Sequence, residues 1–187
     1  MQKRTKQRGV LLCTQQRNVA HFTDICDGHS PSPFHWSDDP DERKKLWKAR
    51  HDALWAAYSL IPGATGFATD VCVPISRLAD CIEDTIFDIE AAGLTAPIVG
   101  HVGDGNFHVA IQYDPKDKDS YKVIRKFSDK LIQKALDLEG TITGEHGVGI
   151  HKKEYLIKQH PDNLPYMKLI KKNFDPNNIM NPGKVFD

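Results

Sequence analysis

No stretch of this chain is long and apolar enough to cross a membrane. Hydrophobic residues make up 40% of its 187 positions, yet no run reaches the roughly 18 residues a transmembrane segment needs. Net charge is absent too: 25 Lys and Arg balance 25 Asp and Glu. A strong field of one sign is thereby excluded, and nucleic acid is not an expected partner. Cysteine is sparse. Cys13, Cys26, Cys72 and Cys81 form no C-x-x-C pair and no zinc-finger spacing. Cys72 sits in an apolar strand pattern and Cys81 in a helical one, so both are expected as reduced thiols. There is no apolar secretory core. Residues 1–23 contain no acid but carry Lys3, Arg4, Lys6, Arg8 and Arg17. That start has some transit-peptide character; a solvated basic arm fits it equally.

Histidine is abundant instead, with nine residues. Two of them lie in P-I-V-G-H-V-G-D-G-N-F-H-V-A-I-Q-Y-D-P, residues 97–115. Gly103 to Asn106 reads as a hairpin turn, because Gly, Asp and Asn tolerate positive φ. A turn centred on Asp104-Gly105 pairs Val102 with Phe107 and His101 with His108. Both imidazoles then share one face of the hairpin, with Cβ atoms roughly 5 Å apart. Two histidines so placed can chelate a metal if a third ligand arrives. They can equally decorate a sheet surface without any ligand.

A candidate third ligand stands in G-T-I-T-G-E-H-G-V-G, residues 140–149. Its glycines disfavour a regular helix. A short strand over 141–143 would deliver Glu145 and His146 onto a turn. Glu145 could complete a metal site. His146 could stay free as acid or base, since its ordinary pKa near 6.5 suits proton transfer. The bland alternative is a polar turn in which Glu145 pairs with a lysine.

Around these stretches the pattern alternates. A short helix is expected over about 15–26. Ser37-Asp38-Asp39-Pro40 starts a helix running to Ile61, with Trp47, Leu54 and Tyr58 on an inner stripe and Arg50 among them. Arg50 there snorkels, pairs with a carboxylate, or forks onto an anionic ligand. Residues 66–73 read as one strand. Ile75, Leu78, Ile82, Ile86 and Ile89 mark an amphipathic helix, which Gly93 ends. Ile124, Phe127, Leu131 and Leu138 mark another, to about Glu139. Helical runs follow at 151–159 and 163–174. Strands joined by a tight hairpin are antiparallel, so the expected class is α+β: an antiparallel sheet covered by helices, with a C-terminal helical return.

Taken together, H-V-G-D-G-N-F-H, G-T-I-T-G-E-H-G-V-G and F-D-P-N-N-I-M-N-P-G-K-V-F resemble the C-terminal half of the FAD-linked D-2-hydroxyacid dehydrogenases, vanillyl-alcohol-oxidase-like flavoproteins. L-W-K-A-R-H-D-A-L-W-A-A and T-D-V-C-V-P-I-S-R-L support a member acting on D-lactate. The resemblance covers residues 15–187; residues 1–14 match nothing. It implies that His101, His108 and Glu145 hold a divalent metal (Zn²⁺ or Mn²⁺), that His146 takes the substrate hydroxyl proton, and that Arg50 binds the substrate carboxylate. It places Asn181 close to the flavin. It implies FAD as cofactor, cytochrome c or another acceptor as electron partner, and a mitochondrial location. Relatives that act on dicarboxylates carry polar residues where Leu54, Ala68 and Ala110 stand, so a small monocarboxylate such as D-lactate is expected over 2-hydroxyglutarate; glycolate remains open. The family's FAD-binding domain is expected to be absent from this chain. Two other readings remain: a metal-binding module without flavin chemistry, and a metal hydrolase using the same His-His-Glu set.

Overall fold

The computed structural model describes Thr23 and residues 36–186. The helix expected over 15–26 and the cysteines at 13 and 26 lie outside the described residues, apart from Thr23. The chain divides into two compact units, Met1–Ala53 and Leu54–Asp187.

The first helix, α1 (Pro40–Tyr58), starts where the Ser-Asp-Asp-Pro signal puts it. Asp39 caps it, its Oδ1 accepting from the backbone N of Asp41 at 3.0 Å and of Glu42 at 2.9 Å. That satisfies two donors a helix start leaves unpaired. Of the expected inner stripe, Trp47 is 57% and Leu54 36% exposed, whereas Tyr58 is half-buried against Gly66. Along this helix only Ala57 is buried. The periodicity marks a helix face, and within the described residues only its C-terminal end, at Ala57 and Tyr58, is covered.

The second unit is built on a small antiparallel sheet. Its strands are β1 (Thr65–Ala68), β2 (Val71–Cys72), β3 (Ile98–His101) and β4 (Asn106–Tyr113). β4 is central: β1 and β2 pair along one edge and β3 along the other. Helices α2 (Ile75–Ala91) and α3 (Lys118–Asp137) cover one face. Phe107, Val109 and Ile111 point into that layer and are fully buried, packed with Leu78, Cys81, Ile124, Phe127 and Leu131. The alternation of β4 and the 3.6-residue spacing of both helices account for this core. Cys81 is a buried free thiol and Cys72 a half-buried one. Helices α4 (Lys153–Gln159) and α5 (Leu164–Phe174) form the C-terminal return.

Three expectations about the sheet need correction. The hairpin register is centred one residue earlier than expected: His101 faces Asn106, and Val99 faces His108. The loop is Val102–Gly105, a 3₁₀ turn closed by Gly105 at φ 76°. A long-range contact selects it. Val73 N donates to Gly105 O at 3.0 Å, so close that a Cβ on Gly105 would lie 2.0 Å from Val73 O. The second correction concerns residues 66–73, which are not one strand. They split at Thr69-Asp70, and the register against β4 resumes unchanged beyond the break. At the break Thr69 N still donates to Val109 O, but Val109 N donates to the Thr69 hydroxyl at 2.9 Å. The Thr69 carbonyl is thereby released for another partner. The expected strand at 141–143 is a single bridge between Cys72 and Thr141.

Candidate metal and active site

His108 projects from the middle of β4 on the face opposite the core. His101 ends β3. Because the turn is even in length and only its centre moved, the two histidines keep a common face as diagonal neighbours, ring centroids 6.5 Å apart. The segment after α3 brings in the other two candidates. His108 Nε2 lies 2.8 Å from Glu145 Oε1. The same oxygen is 3.7 Å from His101 Nε2 and 3.7 Å from His146 Nε2. The His146 ring stands edge-on to His108, centroids 5.1 Å apart.

His108 is buried and its orientation is fixed. Nδ1 sits 3.0 Å from the Thr69 carbonyl freed at the strand break. A carbonyl only accepts, so Nδ1 carries a proton, and in the neutral ring Nε2 presents a lone pair. That Nε2 is buried and has no hydrogen-bond partner, although a carboxylate oxygen stands at 2.8 Å. A lone pair facing a carboxylate is an unfavourable arrangement that a cation resolves. His101, His108 and Glu145 each offer a ligand atom, all within 4.8 Å of one another. A tetrahedral ion with bonds near 2.0–2.1 Å places its ligands about 3.3 Å apart, a value the observed 2.8 and 3.7 Å bracket. Glu145 and His146 are exposed, which leaves one side open, as catalytic rather than structural metal sites require.

A second set, Asp70, His108 and His146, also converges. Its chemistry argues against a metal. Asp70 is 3% exposed and its oxygens are taken. Asn106 Nδ2 donates to Oδ1 at 2.9 Å. Thr143 Oγ1 and the backbone N of His146 donate to Oδ2, the latter at 3.0 Å. Glu145 N reaches both oxygens at 3.2 and 3.3 Å. Lys152 Nζ bonds the backbone carbonyls of Asp70 and Ile142, each at 2.8 Å. Burial alone would raise the Asp70 pKa; the bonds from Thr143, His146 and Asn106 and the Lys152 charge outweigh it and hold the carboxyl well below the usual range. Burial pushes the Lys152 ammonium down, partly offset by Asp70.

Asp70, Thr69 and Lys152 were not among the residues singled out in the sequence. The available signal was alternation. In T-D-V-C-V the apolar residues Val71 and Val73 point to the core, so Asp70 shares the face of His108.

Arg50 belongs to the first unit and is exposed on α1. Asn181 lies in the tail after α5, at φ 48°. Asp175 organises that tail, accepting from the backbone N of Ile179 and Met180 at 2.9 Å each and pairing with Lys171. The tail then returns toward the Glu145 segment, where Val185 N donates to Gly149 O at 2.7 Å. The cavity beside Asn181 measures about 240 Å³, below the roughly 300–1,000 Å³ usual for a ligand pocket. These residues do not by themselves enclose a dinucleotide.

Known proteins match over this same span. The chain is 44% identical to "Probable D-lactate dehydrogenase, mitochondrial" of Danio rerio, across 93% of this chain and 35% of that protein. It is 43% identical to "D-lactate dehydrogenase [cytochrome], mitochondrial" of Arabidopsis thaliana, across 86% of this chain and 29% of that one. The chain thus spans about a third of the length of these relatives. Among solved structures, 4-ethylphenol oxidase from Gulosibacter chungangensis shares the fold, with TM-score 0.54 and 23% identity over 80% of this chain and 31% of that chain. The family model for FAD linked oxidases, C-terminal domain, matches residues 12–185, and the chain belongs to that family.

Proposed function

We propose that this chain is the substrate- and metal-binding portion of an FAD-dependent D-lactate dehydrogenase. It would act on D-lactate or a similarly small D-2-hydroxy acid, yield the 2-oxo acid, and pass electrons to cytochrome c or another acceptor. The names of the matched relatives point to this reaction and to mitochondria. The observation that carries the reading is the buried, unpartnered Nε2 of His108 aimed at Glu145.

His101, His108 and Glu145 would hold the divalent cation. A cation there would lower the pKa of a substrate hydroxyl and orient the hydroxy acid, while FAD would supply the two-electron acceptor. His146 is exposed and borders Glu145, so its ring can receive the hydroxyl proton on the open side. Arg50 would take the substrate carboxylate through its guanidinium fork, and Asn181 would lie at the flavin. Along the His108 face, Ala110 pairs directly with Ala68. Ala110 is fully buried beside the exposed Ala68, so this pair offers no polar group to a substrate. No cation stands in that pair for a second carboxylate, which disfavours 2-hydroxyglutarate.

The test is a titration of the purified chain with Mn²⁺, followed by electron paramagnetic resonance, alongside His108→Ala and His146→Ala. Wild type and His146→Ala should bind one ion and His108→Ala none. D-Lactate should then tighten Mn²⁺ binding more than L-lactate does. Absence of Mn²⁺ binding in the folded wild-type chain, or equal binding by His108→Ala, refutes the reading. A visible spectrum of the chain with added FAD separates a flavin-binding protein from a metal-binding module.

A further inference from the structure

We propose that Asp70 is the positioning residue of this site: through the Thr69-Asp70 dipeptide, one break in a strand orients His108, Glu145 and His146 together. This rests on the metal reading above.

The two halves of the dipeptide act on different segments. The Thr69 carbonyl accepts from His108 Nδ1 and so sets the tautomer that turns a lone pair outward. The Asp70 carboxylate accepts from the backbone N–H of Glu145 and His146 and from the side chain of Thr143. These bonds fix the backbone from which the third ligand and the proposed base project. Asn106, the residue facing His101 across the hairpin, donates to the same carboxylate at 2.9 Å. Two ligand-bearing segments, β4 and the 143–146 stretch, therefore meet at Asp70, which is itself buried. Lys152 balances its charge from behind the site, 3.5 Å from Oδ2. A carboxylate kept only for stability would need a cation such as Lys152; the four further donors, Asn106, Thr143, Glu145 and His146, all lie on the ligand segments.

Partners of this kind typically change metal affinity about 10–100-fold when removed. The experiment is Co²⁺ titration of the whole chain, read by the d–d bands, for wild type and Asp70→Asn. Asn is isosteric, but it removes the charge and sets an N–H against converging donors. The expected result is a 10–100-fold higher Kd for Co²⁺ and, at saturating Co²⁺, altered band positions, with wild-type far-ultraviolet dichroism. A folded Asp70→Asn chain with wild-type affinity overturns the inference. So does one that is merely less stable but recovers the wild-type spectrum at saturation, because a purely structural role predicts that. If Asp70→Asn does not fold, Thr143→Val removes one bond and keeps the carboxylate. It should weaken Co²⁺ binding several-fold, and unchanged binding overturns the inference. A wild-type chain that binds no Co²⁺ fails the metal reading instead, a result distinct from either variant's.

Discussion

Gly144 separates the bracing of the site from its ligands. It sits between Thr143 and Glu145, and its φ is not in the left-handed region. A side chain there therefore meets no backbone strain, only lack of room. A Cβ would fall 1.9 Å from Asn106 Nδ2 and 3.0 Å from Asp70 Oδ1. The first contact is about 1.5 Å short of ordinary packing. Asn106 cannot simply swing aside. It is 5% exposed, and its Nδ2 is held by Asp70 Oδ1 and Val71 O, both at 2.9 Å. Either Asn106 gives up both bonds or the 143–146 segment lifts from Asp70. Gly144→Ala should thus cost about 1–3 kcal/mol, the usual range for overpacking. At about 2–4 °C per kcal/mol for a chain of this size, the melting temperature falls by several degrees. Mn²⁺ affinity should fall with it. The control is Gly103→Ala, where an added Cβ meets nothing within 4 Å; it should stay within about 0.5 kcal/mol of wild type. Urea unfolding and Mn²⁺ titration of the three proteins decide the matter. Gly144→Ala with wild-type stability and affinity would show that the contact around Asp70 is looser than described.

Other outcomes follow from the rest of the molecule. Burial and the bond to Asp129 push the Tyr155 hydroxyl up to about 12, from an ordinary value of 10.0. The folded chain then keeps a proton that the unfolded chain releases, so this stabilisation is complete below pH 10 and lost as pH rises toward 12. Tyr155→Phe should flatten the decline of stability between pH 10 and 12, and equal slopes for the two proteins would count against it. Phe107→Ala empties a fully buried position in the core and should cost about 3–5 kcal/mol by urea denaturation. Asp175→Ala removes the acceptor for Ile179 and Met180. Hydrogen exchange at those two amides should accelerate on the order of tenfold, while exchange in β4 stays unchanged.

What could be read from the sequence depended on how local each signal was. Ile75 to Ile89 and Ile124 to Leu138 follow helical spacing over several turns, and both helices form where that spacing puts them. On α1 the same reasoning found the helix but not its exposure, because periodicity identifies a face and not what covers it. The hairpin was legible from Gly103 to Asn106, but its centre was not. Several of those residues tolerate turn geometry, and the choice among them is made by Val73, about thirty positions away. Asp70 was hidden for a related reason. Its partners Asn106, Thr143, His146 and Lys152 are 36 to 82 residues distant, and it interrupts a segment whose composition reads as one continuous strand.

The register shift nonetheless left the candidate ligands together, and the reason is parity. Moving the turn centre by a whole residue changes which residues face each other by two, so each side chain keeps its face. His101 and His108 became diagonal rather than direct neighbours, and both still point away from Phe107 and Val109. A shift by half that amount would have driven the His101 side chain toward the core layer. The metal reading therefore required only that the loop be even, which is a weaker demand than the exact pairing. The third ligand had no such protection. Glu145 follows α3 by a glycine-rich segment that contributes one bridge to the sheet, so nothing local fixes its reach. Asp70 supplies that constraint, and it is held in turn by the break between β1 and β2. Folding of the sheet and assembly of the site are then one process, and a cation that binds only the assembled site should raise the stability of the whole unit in proportion to RT ln(1 + [M]/Kd).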